Sequence, residues 1–214
     1  MRVRVKVCGV TDPDGARLAV ESGADYLGLN FYPRSPRFVD VDRAREIAAA
    51  VRGRIALVGV FVGRPTAEIE EISGRVGLDL VQLSGDEPPS AVAPFAGRAI
   101  KVFRTGGDPG AEALAAYPGV WGLLFDAPHG ALYGGTGAAW DYGSIARLSE
   151  AAIDRRVFLA GGLGPDNVRR AVEAVRPFAI DVCSRVESAP GVKDSELLRR
   201  LFEEVRHGED TNRP

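Results

Sequence analysis

A thiol, a carboxyl and a guanidinium stand out in this chain as groups able to move a proton or hold an anion. Cys8, in Lys6-Val7-Cys8-Gly9, and Asp126, in Leu124-Phe125-Asp126, each end a short apolar run. Placed on opposite sides of a substrate, such a pair suits a base and an acid, provided the surroundings lower the first pKa and raise the second. Each also has a plainer reading. Most free cysteines behave as small buried apolar residues, and an aspartate opening a loop often caps it. Arg37, in Ser35-Pro36-Arg37-Phe38, lies on a stretch stiffened by Pro33 and Pro36, where a guanidinium can clamp a carboxylate in bidentate fashion. In a chain rich in arginine, a solvated surface side chain is the competing reading. Gly161-Gly162 and the segment Cys183-Ser184 offer bare backbone N–H groups that favour an anion such as phosphate, although a Gly-Gly pair is often only a turn.

Other features narrow the class of protein. Of 27 basic residues only Lys6, Lys101 and Lys193 are lysines, so Schiff-base chemistry has few candidates. The net charge of -2 gives no case for nucleic acid or a membrane surface as partner. The two cysteines cannot build a disulfide framework, which points to a reducing compartment, the cytoplasm. The start of the chain alternates charge with valine rather than forming an apolar leader, and no apolar run approaches membrane-spanning length. The two histidines, His129 and His207, are far apart and suggest no metal site.

The elements that must position these groups alternate along the whole of the 214 residues. Short β-branched runs begin near Val3, Tyr26, Ile55, Leu80, Ala99, Val120, Val157 and Phe178. Helical periodicity follows near 12–22, 41–51, 66–75, 88–95, 109–116, 141–151, 166–175 and 193–206. Thr11 or Asp12, Asp40, Thr66 and Asp141 suit helix starts, and Gly23, Gly53 and Gly77 suit helix ends. Eight βα units without a hairpin signal predict an α/β fold, a single compact (β/α)8 TIM barrel over 1–206, with 207–214 as a polar tail. An open doubly wound sheet is the runner-up, but Cys8-Gly9-Val10-Thr11 lacks the glycine-rich turn which that fold places after its first strand. In a barrel, catalytic groups sit at the C-terminal strand ends, which is where Cys8, Gln82, Asp126, Gly161, Asp181 and Ser184 fall. Lys6 and Asp181 would then lie on neighbouring strands and read as a buried pair rather than as catalysts. The loop after Asp126, with Gly134-Gly135-Thr136-Gly137, reads as a substrate loop or lid.

Seven ordered segments together resemble phosphoribosylanthranilate isomerase, a barrel family of tryptophan biosynthesis. They are Lys6-Val7-Cys8-Gly9-Val10-Thr11, Ser35-Pro36-Arg37, Val81-Gln82-Leu83 with Gly85-Asp86-Glu87, Asp126 with Tyr133 to Gly137, Leu159 to Leu163 with Pro165 and Asn167-Val168, Asp181-Val182 with Val186-Glu187, and Pro190-Gly191 with Lys193-Asp194. The resemblance implies an Amadori rearrangement of a small phosphoribosyl substrate, with Asp126 as acid, Cys8 as base and Arg37 holding the anthranilate carboxylate. Gln82, Gly161, Gly162, Asp181, Ser184 and Arg185 complete the expected binding site. No metal or organic cofactor is implied, because the substrate nitrogen serves as electron sink, and barrels of this size occur as monomer or homodimer.

Three residues depart from the family pattern. Ser84 stands where a histidine is usual, Cys183 where a serine is, and Arg185 where a glycine is. Arg185 is expected either to strain a positive-φ backbone or to add a phosphate contact. These changes leave two rival readings: a paralogue using the same Cys8/Asp126 chemistry on a related aminated sugar phosphate or modified anthranilate, and a barrel that only binds a phosphorylated ligand. A Schiff-base lyase using Lys101 is weaker still.

Overall fold

The computed structural model describes residues 2–104, 110–126 and 155–210. The helix expected over 141–151 with its Asp141 cap, the Gly134–Gly137 segment and His129 lie outside them.

Eight parallel strands run in sequence order: β1 (Arg4–Cys8), β2 (Tyr26–Asn30), β3 (Ala56–Phe61), β4 (Leu80–Leu83), β5 (Ala99–Arg104), β6 (Gly122–Asp126), β7 (Arg156–Ala160) and β8 (Ala179–Val182). Strand β8 pairs with β1, Lys6 opposite Asp181 and Val7 opposite Val182, so the sheet closes into a barrel. That closure excludes the open sheet. The helices described are α1 (Pro13–Ser22), α2 (Val41–Ala50), α3 (Thr66–Val76), α4 (Pro89–Val92), α5 (Gly110–Ala115), α6 (Val168–Val175) and α7 (Ser195–Asp210).

Local chemistry sets most boundaries. The Asp12 side chain accepts from the Gly15 N–H at 2.8 Å and Pro13 opens α1, which ends on left-handed Gly23. Asp40 accepts from the Arg43 N–H at 2.8 Å and starts α2. Thr66 does not cap α3; it is the first helical residue, preceded by Pro65 with no side-chain cap bond. The helix expected over 88–95 is a single turn followed by a 3₁₀ turn at Ala93–Phe95, because Pro94 lacks the N–H a continuing α-helix needs.

Side chains of a strand alternate between faces, and here the two faces form two cores. Val5, Val7, Leu27, Leu29, Val81, Ile180 and Val182 face outward into one buried cluster with the apolar sides of α1, α2, α3, α6 and α7. Val58, Leu80, Ile100, Val102, Leu124 and Phe158 fill the barrel itself. Its N-terminal mouth is stoppered by Tyr26, Trp121, Phe158 and Phe178, with the Arg4 guanidinium 4.3 Å over the Phe178 ring and that of Arg156 4.8 Å over Trp121. The polar inward residues therefore lie toward the C-terminal strand ends.

Three further expectations need correction. A small antiparallel hairpin, β9 (Glu187–Ala189) and β10 (Val192–Lys193), follows β8, turning at Pro190-Gly191. Its strands are too short to leave a periodic signal. In consequence α7 begins at Ser195 rather than 193, after Asp194, whose carboxylate accepts the Leu197 N–H at 2.9 Å. It also continues through His207, where a tail was expected, to Asp210. There Gly208 packs on Val172 of α6, and Glu209 accepts the Val3 N–H at 2.5 Å, tying the helix end to the approach to β1.

Candidate active site

A cavity of about 510 Å³ opens over the C-terminal strand ends. Cys8, Arg37, Gln82, Asp126, Gly161, Gly162, Asp181 and Ser184 all line it, so folding brings together eight of the nine expected residues from across the chain. Arg185 is the exception. It is not among the lining residues, its guanidinium donates to Asp166 at 2.7 Å, and its chain lies over Gly164. Nor is it strained, since Arg176 is the one described non-glycine residue with positive φ. The 3₁₀ turn Ser184–Val186 that follows Cys183 accommodates a side chain at 185.

Cys8 and Asp181 follow from strand alternation. Lys6 and Cys8 on β1, and Asp181 on β8, share the inward face. Lys6 is fully buried and gives its ammonium to both Asp181 oxygens at 2.9 Å. Burial works against the lysine charge, but Asp181 and then Cys8 more than offset it, so Lys6 is held protonated above its usual range. For Asp181, burial is the largest effect and pushes the carboxyl up to about 7 against the pull of Lys6, with Cys8 and Asp126 acting in the same upward direction. The Cys8 thiol is held well below the ordinary cysteine value. A hydrogen bond from Cys183 does most of this against the penalty of burial, and the positive charges of Lys6 and Lys193 add to it. Gly28, opposite Cys8 on β2, leaves the space the thiol needs: a Cβ there would come within 2.8 Å of Cys8 Sγ.

Arg37 is carried by a loop whose shape Asn30 and Ser35 set. Asn30 donates to Ser35 Oγ at 3.1 Å, and the same oxygen accepts the Arg37 N–H at 3.1 Å. The guanidinium donates through Nε and Nη2 to Glu187, at 2.9 and 2.6 Å, which keeps Arg37 charged. Glu187 also accepts from Lys193 at 2.6 Å. Burial would raise this carboxyl, but the two cations hold it low. Gly9, at φ 71, must be glycine: a Cβ would fall 2.4 Å from Arg37 Cδ.

On the other side, Gly161 and Gly162 take positive φ of 98 and 64, which turns the chain after β7 across the cavity. Asn167 pins this turn, accepting from the Gly164 N–H at 2.8 Å and donating to the Gly162 carbonyl at 3.0 Å. Gln82 donates to Ser84 Oγ at 3.1 Å, while its Oε1 is buried without a hydrogen-bond partner among the described residues. Arg104 also lines the cavity and donates to the Ser84 carbonyl at 2.9 Å.

Sequence reasoning missed Glu187, Lys193 and Arg104 as parts of the site. One signal was available. All three lysines are buried, each on its own carboxylate: Lys6 on Asp181, Lys101 on Glu87 and Lys193 on Glu187. In an arginine-rich chain, retention of lysine marked the interior. Among the described residues no group of His, Cys, Asp or Glu side chains could hold a metal ion, and no helix is long and apolar enough to cross a membrane.

A closed parallel barrel with a thiol, carboxyls and guanidinium groups gathered over its C-terminal strand ends defines the chain as a (β/α)8-barrel enzyme. Its residues 5–204 match the family model for N-(5'phosphoribosyl)anthranilate (PRA) isomerase. The chain belongs to the phosphoribosylanthranilate isomerase family. It is 43% identical to the N-(5'-phosphoribosyl)anthranilate isomerase of Halorhodospira halophila, over 99% of this chain and 100% of that protein. Among solved structures it resembles monomers generated from the dimeric isomerase of Thermotoga maritima, with a TM-score of 0.83, 34% identity and coverage of 95% and 98% of the two chains. It also resembles an isomerase in complex with reduced 1-(o-carboxyphenylamino)-1-deoxyribulose 5-phosphate, with a TM-score of 0.84, 34% identity and the same coverage.

Proposed function

We propose that the chain catalyses the Amadori rearrangement of N-(5-phosphoribosyl)anthranilate to 1-(2-carboxyphenylamino)-1-deoxyribulose 5-phosphate, a step of tryptophan biosynthesis, with Cys8 as base and Asp126 as acid. The observation that carries this reading is a thiol of lowered pKa and a carboxyl at the ends of β1 and β6, around one cavity.

Asp126 protonates the ribose ring oxygen. The C1–O bond breaks and the anthranilate nitrogen supplies its lone pair to form an iminium. The Cys8 thiolate then takes the proton from C2, the electron pair moves toward nitrogen, and the resulting enolamine tautomerises to the C2 ketone. An ordinary thiol is only a few per cent ionised near neutral pH, so Cys183 and, after it, the cations beside Cys8 supply what this step needs. Arg37 takes the anthranilate carboxylate: its Nη1 has no partner among the described residues, while Glu187 holds the other side of the guanidinium. Gly161, Gly162 and Ser184 receive the phosphate. Gln82 Oε1 accepts from a sugar hydroxyl, and Asp181 serves by keeping Lys6 charged beneath Cys8.

The test is to generate the substrate in situ and follow loss of its anthranilate-type fluorescence with wild type, Cys8→Ser and Asp126→Asn. Each variant is expected to lose roughly 10²- to 10⁴-fold in kcat. No turnover by wild type, or full turnover by both variants, overturns the assignment. One observation favours the paralogue reading: Ser84 lines the cavity where the family pattern has an imidazole. If Ser84→His improves turnover of phosphoribosylanthranilate, the natural substrate differs from it.

A further inference from the structure

Cys183, one of the departures from the family pattern, lies beside the proposed base. Strands β1 and β8 are parallel neighbours whose last register pair is Val7 and Val182, and Cys8 and Cys183 are the residues that follow that pair. Cys8 is the last residue of β1 and Cys183 the first after β8, and both line the cavity. Neighbouring strands lie about 4.8 Å apart, within the Cα separation that a disulfide bridges. Each thiol is the largest influence on the other's ionisation, and the Cys183 Sγ lies 3.0 Å from where a Cβ on Gly9 would sit, the glycine next to Cys8. Both are free thiols, and the surroundings differ in a useful way. Lys193 stands near both thiols, but Cys8 also has the Lys6 ammonium near it, and Cys183 lies 3.9 Å from Glu187 Oε1. That difference suits Cys8 to attack as the thiolate and Cys183 to resolve as the thiol.

We infer that Cys8 and Cys183 form an oxidisable pair, which hydrogen peroxide closes to a disulfide and a dithiol reopens. The Cys8 thiolate attacks one peroxide oxygen. The O–O bond breaks, Cys8 becomes a sulfenic acid, and hydroxide leaves and is protonated to water. Cys183 then gives up its proton, its sulfur attacks the Cys8 sulfur, the S–O bond breaks and a second water leaves. Two thiols supply the two electrons that reduce one peroxide to two waters. The bond occupies the proposed base, so turnover stops while the chain stays intact. That consequence rests on the reading of Cys8 as base, whereas the cross-link itself does not.

The experiment treats the full chain with hydrogen peroxide and reads peptide masses and turnover in parallel. The expected result is a linked Cys8–Cys183 peptide, an intact mass lower by about 2 Da, and a loss of turnover of roughly 100-fold or more, all reversed by dithiothreitol. In Cys183→Ser the resolving thiol is gone, and peroxide is expected to add oxygen to Cys8 in a form dithiothreitol does not reverse. A wild-type chain that gains oxygen at Cys8 while Cys183 remains a free thiol, or that keeps both thiols, overturns the inference. A linked peptide with undiminished turnover upholds the pair and overturns instead the reading of Cys8 as base.

Discussion

Lys193 donates to the main-chain carbonyl of Cys8 at 2.5 Å, and the same ammonium donates to Glu187 Oε1 at 2.6 Å. Since Glu187 also holds Arg37, the strand end that presents the thiol and the loop that presents the guanidinium hang from one buried carboxylate. The hairpin β9–β10 is what supplies both Glu187 and Lys193.

Removing that link is expected to alter the chemistry as well as the packing. Lys193→Met takes a positive charge from beside Cys8, so the thiol pKa rises and the acid limb of the pH–rate profile moves to higher pH, with turnover down roughly tenfold near neutrality. A purely structural lysine would leave the acid limb where it is.

The lowered Cys8 pKa has a sign that alkylation can read. A group whose pKa is depressed stays ionised as pH falls past the ordinary thiol value, so Cys8 is expected to react with iodoacetamide at about pH 7. Cys183 is pushed the other way, by the neighbouring Cys8 and by burial, and reacts slowly there. Peptide mapping against pH distinguishes the two. Labelling of Cys183 before Cys8 contradicts the assignment of the thiolate.

Lys6 and Asp181 form an ion pair inside the barrel, at 2.9 Å and almost wholly buried. Lys6→Met leaves a buried carboxylate uncompensated and is expected to cost about 3–5 kcal/mol in urea unfolding. Lys6→Met with Asp181→Leu removes both charges and should recover most of that loss, because a well-packed apolar pair avoids the desolvation of two ions. A double variant as unstable as the single would show that the pair is not what holds these strands.

Arg185 pairs with Asp166, a partly exposed contact. Arg185→Gly is therefore expected to change KM by less than about twofold and stability by no more than about 1 kcal/mol. A large rise in KM would place the guanidinium on the substrate phosphate after all.

How far the sequence could be read depended on the kind of information each feature carries. Strand alternation is local, so the inward placement of Lys6, Cys8, Gln82 and Asp181 was legible once β1, β4 and β8 were recognised. Caps such as Asp12 and Asp40 were legible too, because a carboxylate three residues from an orphan N–H acts within one turn. Thr66 misled, since Pro65 already occupies the cap position. The hairpin at Glu187–Lys193 was hidden, because strands of three and two residues carry no periodicity and only Pro190-Gly191 hinted at the turn.

By itself the sequence determined the alternation of strand and helix, the inward set of polar residues and the list of groups able to act. Only the tertiary structure decided which of them meet. Barrel closure puts β8 against β1, turning Lys6 and Asp181 into one ion pair and Cys8 and Cys183 into neighbouring thiols, although each pair is separated by 175 residues. It also turned Arg185 outward to Asp166 and brought Glu187 inward to Arg37. The physical reason is that a buried charge must find its counter-charge through space, and the partner is chosen by strand register and loop path rather than by distance along the chain.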